Sequence, residues 1–271
     1  MPYISYHFNS VTLLITHYNR SNSLENLLNR FESLNCTFEE MIVTDDGSKP
    51  EHLEKVIDLQ KKFSFRLVTT PVNKGLGNNN NKGQDAVKTE YTLYVQEDFL
   101  PRPIFPALFE KSMKIMKDQP DIDIIRYYSY FRYPYLKPYD EDFSLLDFHP
   151  EPWYANHRKF YFYSDHPHVR RSNFFEKFGR YAENVTGDRT DYLMSLSFVQ
   201  KKAKGLFYNK FNQVFDQQNS ASEPSTMLHY RSSWIESPNY FIRIFRFFYL
   251  VYKFCKWSFE YFFFRTGQFS N

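Results

Sequence analysis

The sequence predicts an α/β chain built on a mainly parallel sheet flanked by helices. Two observations carry that reading. Short apolar runs alternate with stretches of helical period through the first hundred residues. A polar cluster also follows the first, second and fourth of those runs, at residues 16–20, 45–48 and 96–98. Ligands of such sheets bind at the carboxyl ends of the strands.

Taken in order, residues 11–16 form a buried apolar run and predict the first strand. Ser21 opens a helix carrying Leu24, Leu27, Leu28, Phe31 and Leu34 on one face. Residues 41–44 predict a second strand, and Pro50 then sits in the first turn of a helix with Leu53, Val56 and Ile57 on one face. Residues 65–69 and 91–95 predict two further strands, with a short helix over 83–88 between them. Pro101 and Pro103 introduce a helix running to about Lys117, followed by a strand over 123–130. Residues 131–168 are rich in Tyr, Phe, Pro and His without a clean period. They predict a long irregular region of functional kind, with one strand near 159–163. Ser172 is expected to cap a helix ending at Gly179, and Thr190 or Asp188 to cap another holding Leu193, Leu196 and Val199. A last strand is expected at 206–208, and residues 212–233 read as polar and mobile.

The 271 residues carry a net charge of only +3, which is too small to imply nucleic acid. Two cysteines, Cys36 and Cys255, exclude a disulfide framework and a four-cysteine zinc site. No basic residue precedes the first apolar run and no small-residue cleavage site follows it, so no signal peptide is expected. No apolar run approaches the ~20 residues of a spanning helix. On a helical wheel of residues 240–264, Arg243, Arg246, Lys253, Lys256 and Glu260 fall within about 140°, and the rest is mostly aromatic. Cations on one face and rings on the other describe a helix lying in a membrane interface. Packing of that helix on its own domain, or a dimer contact, is the competing expectation.

Residues 11–20 (Val-Thr-Leu-Leu-Ile-Thr-His-Tyr-Asn-Arg) and 42–48 (Ile-Val-Thr-Asp-Asp-Gly-Ser) resemble the family 2 inverting glycosyltransferases of GT-A fold. The resemblance continues at 73–77 (Asn-Lys-Gly-Leu-Gly), 81–83 (Asn-Lys-Gly), 93–98 (Leu-Tyr-Val-Gln-Glu-Asp) and 169–183, covering about residues 10–235 in order. It implies a nucleotide-sugar half over 1–100, an acceptor half over 101–235 and an appended aromatic, basic segment over 236–271. It also implies a bacterial surface-polysaccharide enzyme moving a sugar, from a UDP-sugar, to a saccharide or polyprenyl-diphosphate-linked saccharide hydroxyl. Its place would be cytoplasmic, peripheral to the inner face of the membrane.

The resemblance places donor contacts at Thr16, Tyr18, Arg20, Asp45 and Asp46, where Asp45 can accept the imide N–H of uracil and Asp46 can share that work or take ribose hydroxyls. Lys74, Gly75, Asn81, Glu97, Asp98 and Arg231 complete the implied donor set. Gly75 and Gly77 allow a close approach or simply a turn. Asp98 is the implied direct ligand of Mg²⁺ or Mn²⁺, with His229 as a further ligand or diphosphate contact. Asp191 is the implied general base, with Asp188 and Glu183 as competitors. Trp153 is the expected acceptor-stacking ring. The chain departs from the family pattern at Asn80, Gln96 and Thr190. Asn80 stands at a usual arginine, so a cationic donor contact is missing or comes from Lys74 or Lys82. Those departures motivate an alternative: a GT-A-like saccharide-binding or assembly partner at the membrane that does not catalyse.

Overall fold

The structure is a computed structural model that describes residues 5–218, 223 and 239–265. The first half alternates strand and helix. These elements are β1 (Tyr6–His17), α1 (Ser21–Ser33), β2 (Cys36–Asp45), α2 (Pro50–Phe63), β3 (Arg66–Thr69), α3 (Leu76–Ala86) and β4 (Tyr91–Gln96). Strands β3, β2, β1 and β4 pair side by side, all parallel. From Val11 onward β1 is buried along its whole length, as expected of a strand covered on both faces.

The second half extends this sheet. It comprises β5 (Phe99–Pro101), α4 (Phe105–Asp118), β6 (Ile124–Arg126), β7 (Leu136–Pro138), β8 (Phe143–Leu146), β9 (His168–Arg171), α5 (Phe174–Phe178), α6 (Gly187–Gln200), β10 (Gly205–Tyr208), β11 (Phe215–Gln217) and α7 (Tyr240–Phe263). The nine-stranded order is β3-β2-β1-β4-β9-β6-β10-β8-β7, and β5 pairs with β11 in a separate ribbon. Beyond β4 the sheet is mixed, since β9 runs antiparallel to both β4 and β6.

Alternation along the strands sorts the helices onto two faces. Leu13 and Ile15 pack with α1, α2 and α4, whereas Leu14 points to the other side with Tyr94. Ile125, Leu206 and Tyr208 join the first face, and Ile124 and Phe207 join α5, α6 and Trp257 on the second.

Four local expectations change. α3 starts at Leu76, well before residue 83, because its asparagines spend their amides on tertiary partners. Asn79 Nδ2 reaches the His17 and Thr44 carbonyls, and Asn81 Nδ2 donates to the Tyr181 carbonyl. Low intrinsic helix propensity hides such a segment. No strand forms at 159–163. A 3-10 turn occupies His157–Phe160, and Arg126 takes the Tyr161 and Phe162 carbonyls that a ladder would have used. β9 did not read as a strand because two of its three buried residues, His168 and Arg170, are polar. Arg170 sits fully buried, donating to Gln84 Oε1 at 2.8 Å and Tyr181 Oη at 3.0 Å. Helix α5 follows Asn173, not Ser172, and α6 follows Thr186, with Thr190 bonding the Ala182 carbonyl instead of capping.

Helix α7 covers the expected span but rests on the body by its charged arc. Trp257 and Glu260 are buried there, and Arg189 of α6 pairs with Glu260 at 3.0 Å. Phe241, Phe245, Phe248, Tyr252, Phe259 and Phe263 are 61–71% exposed on the opposite face.

Candidate active site

Parallel pairing aligns the strand ends. His17 lies beside Asp45 and Thr16 beside Gln96 in register, so the tails of β1, β2 and β4 leave the sheet at one edge. A cleft of about 550 Å³ opens there. Its far wall comes from the chain after β6, from residues 161–166, from the start of α6 and from α7.

At the β1–β2 end a hydrogen-bond chain fixes the wall. Asp45 is fully buried; Oδ1 meets His17 Nδ1 at 2.8 Å, and Oδ2 accepts Ser48 N and Thr69 Oγ1, each at 3.0 Å. Burial alone would raise this carboxyl, but the hydrogen bonds from His17 and Ser48 outweigh it and hold the group below the usual carboxylate range. His17 Nε2 accepts the Arg20 N–H at 3.2 Å, which aims Arg20 into the cleft. Asp46 accepts Lys74 N at 2.9 Å and Gly75 N at 2.8 Å, folding residues 73–75 over the cleft floor. Gly75 adopts φ +87°, a conformation that disfavours side chains.

At the end of β4 the acids converge. Arg20 Nη1 approaches Asp98 Oδ2 at 3.1 Å and Glu97 Oε1 at 3.6 Å. Gln217 Nε2 donates to the same Asp98 Oδ2 at 2.9 Å, and Tyr130 Oη donates to Gln217 Oε1 at 2.8 Å. Burial, then the charge of Asp98, push the Glu97 carboxyl up to about 8 against the pull of Arg20. Gln96 Nε2 donates to Asp165 Oδ2 at 2.9 Å, and the Asp165 N–H donates to Asp191 Oδ1 at 2.9 Å. Burial raises Asp165 to about 6. Burial and the neighbouring Asp165 raise Asp191 well above its ordinary value, with Arg126 opposing.

Of the residues singled out in the sequence, Thr16, Tyr18, Arg20, Asp46, Gly75, Glu97, Asp98, Asp188 and Asp191 line this cleft. Asp45 does not. It stands behind the wall with both oxygens occupied by protein donors. Asn81 also lies behind it, tying α3 to Tyr181 and Glu183. Lys74 is exposed outside the lining, and Lys82 donates to the Asp45 carbonyl. Trp153 is 76% exposed and away from the cleft. His229 and Arg231 lie outside the described residues. His17, Arg126, Asp165, Gln217, Lys253 and Trp257 line the cleft or brace it without having been singled out for it. An arginine inside the apolar stretch before Tyr127 was the available signal for one of them.

Residues 12–179 match the sequence profile of the family described as Glycosyl transferase family 2. The chain belongs to that family. Among curated relatives, the chain is 30% identical over 88 residues to the poly-beta-1,6-N-acetyl-D-glucosamine synthase of Staphylococcus epidermidis, covering 32% of this chain and 21% of the synthase. It is 25% identical over 126 residues to the cholesterol galactosyltransferase of Borreliella burgdorferi, covering 46% of this chain and 34% of the relative. The chain thus spans between a fifth and a third of these curated relatives. Among solved structures it is similar to residues 1–349 of S. aureus TarS in complex with UDP-GlcNAc. The TM-score is 0.56 at 15% identity, over 80% of this chain and 61% of that one, a likeness of fold.

The buried Asp45 carboxylate makes the protein acid-sensitive. Its native pKa is depressed, so its contribution is fully present above the unfolded value of about 3.9 and is lost as pH falls towards the native one. Asp45→Asn is expected to cost about 2 kcal/mol at neutral pH, and the two urea midpoints should converge below about pH 4. Parallel curves down to pH 2.5 would contradict this.

Proposed function

We propose that this glycosyltransferase moves a hexosyl or N-acetylhexosaminyl group from a UDP-sugar to a hydroxyl of a saccharide, free or carried on polyprenyl diphosphate, with inversion at the anomeric carbon. One observation carries the reading. The ends of β1, β2 and β4 deliver Thr16, Tyr18, Asp46 and Asp98 to a cleft whose other wall holds Asp191. A nucleotide diphosphate fits the first wall and a general base belongs on the second. The UDP-GlcNAc held by the fold relative and the names of the curated synthase and galactosyltransferase support this class of donor.

A divalent cation fits the same wall. Six carboxyl groups line the cleft with Arg20, Arg126 and Lys253, and burial makes Glu97, Asp165 and Asp191 hold protons more tightly than usual; a cation beside them would favour their charged forms and offset the charge of a diphosphate. The two contacts that clamp Asp98 both fall on Oδ2, which leaves Oδ1 aimed elsewhere. Among the described residues no three acids or imidazoles form a metal cage. Mg²⁺ characteristically takes one or two carboxylates and completes its shell with substrate phosphates and water. Asp98 would hold the ion, with Glu97 adjacent. Bound there, the ion neutralises charge growing on the leaving diphosphate.

The chain's own residues do the rest. Thr16 and Tyr18 form the wall for the base, while Asp46 keeps Gly75 against the donor. Asp191 accepts the proton of the acceptor hydroxyl as that oxygen bonds to the anomeric carbon. The bond from that carbon to the phosphate oxygen breaks on the opposite side, and UDP leaves with the electron pair. A raised carboxyl pKa suits a base working near neutrality. The alternative, a non-catalytic saccharide-binding partner, draws support from Gln96, Asn80 and Thr190. In the structure Gln96 has a task, as the donor that holds Asp165 beside Asp191.

Helix α7 is proposed to lie on the cytoplasmic face of a membrane. Its exposed rings are the residues that favour the interface, and its 24 residues span about 36 Å. No helix among the described residues is long and apolar enough to cross a bilayer. The product would then enter a capsule or another surface polysaccharide.

Asp191→Asn should lower kcat by roughly 10²–10⁴ while leaving UDP affinity in calorimetry unchanged. Wild-type kcat/KM should rise with pH through a pKa above the usual carboxylate range, and UDP binding should weaken on chelation of Mn²⁺. Unchanged turnover in the variant would favour the non-catalytic partner. On flotation with phosphatidylglycerol vesicles, the full chain should rise with the lipid, whereas a triple change of Phe241, Phe245 and Phe248 to Ser should leave it in solution. Equal flotation of both would remove α7 as the anchor.

A further inference from the structure

The helix that turns its aromatic rings outward also builds one end of the cleft. Lys253 and Trp257, on the inner arc of α7, both line it, as do Tyr161 and the α6 residue Tyr192. Trp257 stacks on Tyr192 with ring centres 4.4 Å apart at 24°, and Tyr161 stands edge-on to Trp257 at 5.3 Å. Lys253 Nζ lies 4.2 Å above the Trp257 ring and donates to Tyr161 Oη at 2.9 Å. Phe131, also in the lining, packs against Tyr161 at 5.2 Å. Tyr192 directly follows Asp191, so this cationic aromatic corner adjoins the carboxylate assigned to the acceptor hydroxyl.

The corner has the makings of a binding subsite, since rings offer flat apolar walls to a sugar face and an ammonium is a point charge for phosphate. Its position distinguishes it from the donor wall, which is built by β1, β2 and β4. Its only α7 residues are on the face opposite the exposed Phe245, Phe248 and Tyr252. A ligand tethered in a bilayer under α7 would have the width of that one helix, about 10 Å, to pass before reaching this corner.

We infer that Lys253, braced by the stacked Trp257 and Tyr192, forms with Tyr161 and Phe131 an acceptor subsite for a lipid diphosphate, with Lys253 binding the phosphate and the half-buried Tyr161 and Phe131 rings flanking the first sugar or isoprenoid unit. This rests on the glycosyltransferase reading above and selects the lipid-linked acceptor over the free saccharide. Arg189, paired with Glu260, holds α7 against α6 and keeps the corner closed.

The test uses the full chain already saturated with UDP and Mn²⁺, so that the donor site is filled, and titrates geranylgeranyl diphosphate by calorimetry. One further equivalent should bind. Lys253→Met should weaken it by about tenfold, Lys253→Arg should stay within about threefold, and UDP affinity should be the same in all three proteins. A wild-type chain that binds UDP but not the lipid diphosphate would overturn the subsite, as would equal binding by Lys253→Met. Inorganic pyrophosphate binding as tightly as the lipid would overturn the lipid part. Failure to bind UDP at all would instead sink the glycosyltransferase reading.

Discussion

The in-register parallel pairing of β1 with β2 and β4 is the constraint on which the rest of this structure depends. It sets His17 against Asp45 and Thr16 against Gln96, so three polar tails leave the sheet at one edge. A slip of one residue would exchange the faces of a strand and carry its tail away from the cleft. The buried link from Asp45 through His17 to the Arg20 backbone holds that edge rigid. Arg20 in turn reaches Asp98 across the gap, and the cleft is thereby braced before any ligand arrives.

Gathering acids in this way has an electrostatic consequence. Glu97, Asp165 and Asp191 are all pushed upward by burial and by one another or their acidic neighbours. Such a cluster is poised to accept cations and protons. In the proposed reading charge and proton transfer are separated in space: Asp98, clamped by Arg20, would face the donor, while Asp191, held by the Asp165 N–H, would face the acceptor. Gln96 joins the two sides, since its amide would clash electrostatically with nothing and satisfies Asp165, where a carboxylate would repel it.

Much of the first half was legible because local and tertiary signals agree there. Strand β1 is apolar where it is buried, and α1 shows its Leu24, Leu27, Leu28 and Phe31 stripe openly. One wall of the cleft followed from polar residues placed just after such strands. Legibility ended where burial is polar. Arg126 and Arg170 are buried cations that serve carbonyl and amide partners; the strand that carries Arg170 went unread, and Arg126 sat in an expected strand without a role assigned to it. Asp45 looked like a ligand contact because sequence places it at a strand end but not on a side of the wall. Trp153 and Trp257 are equivalent rings in composition. Only the packing of α7 on α6 decides that the second lines the cleft while the first stands in solvent.

The central claim is that a nucleotide sits against the ends of β1, β2 and β4. A crystal structure of the chain with UDP and Mn²⁺ tests it most directly. The account predicts the uracil ring against Thr16 and Tyr18, with the diphosphate next to the Asp98 carboxylate. Nucleotide bound at any other surface, with this cleft filled only by water, would contradict it.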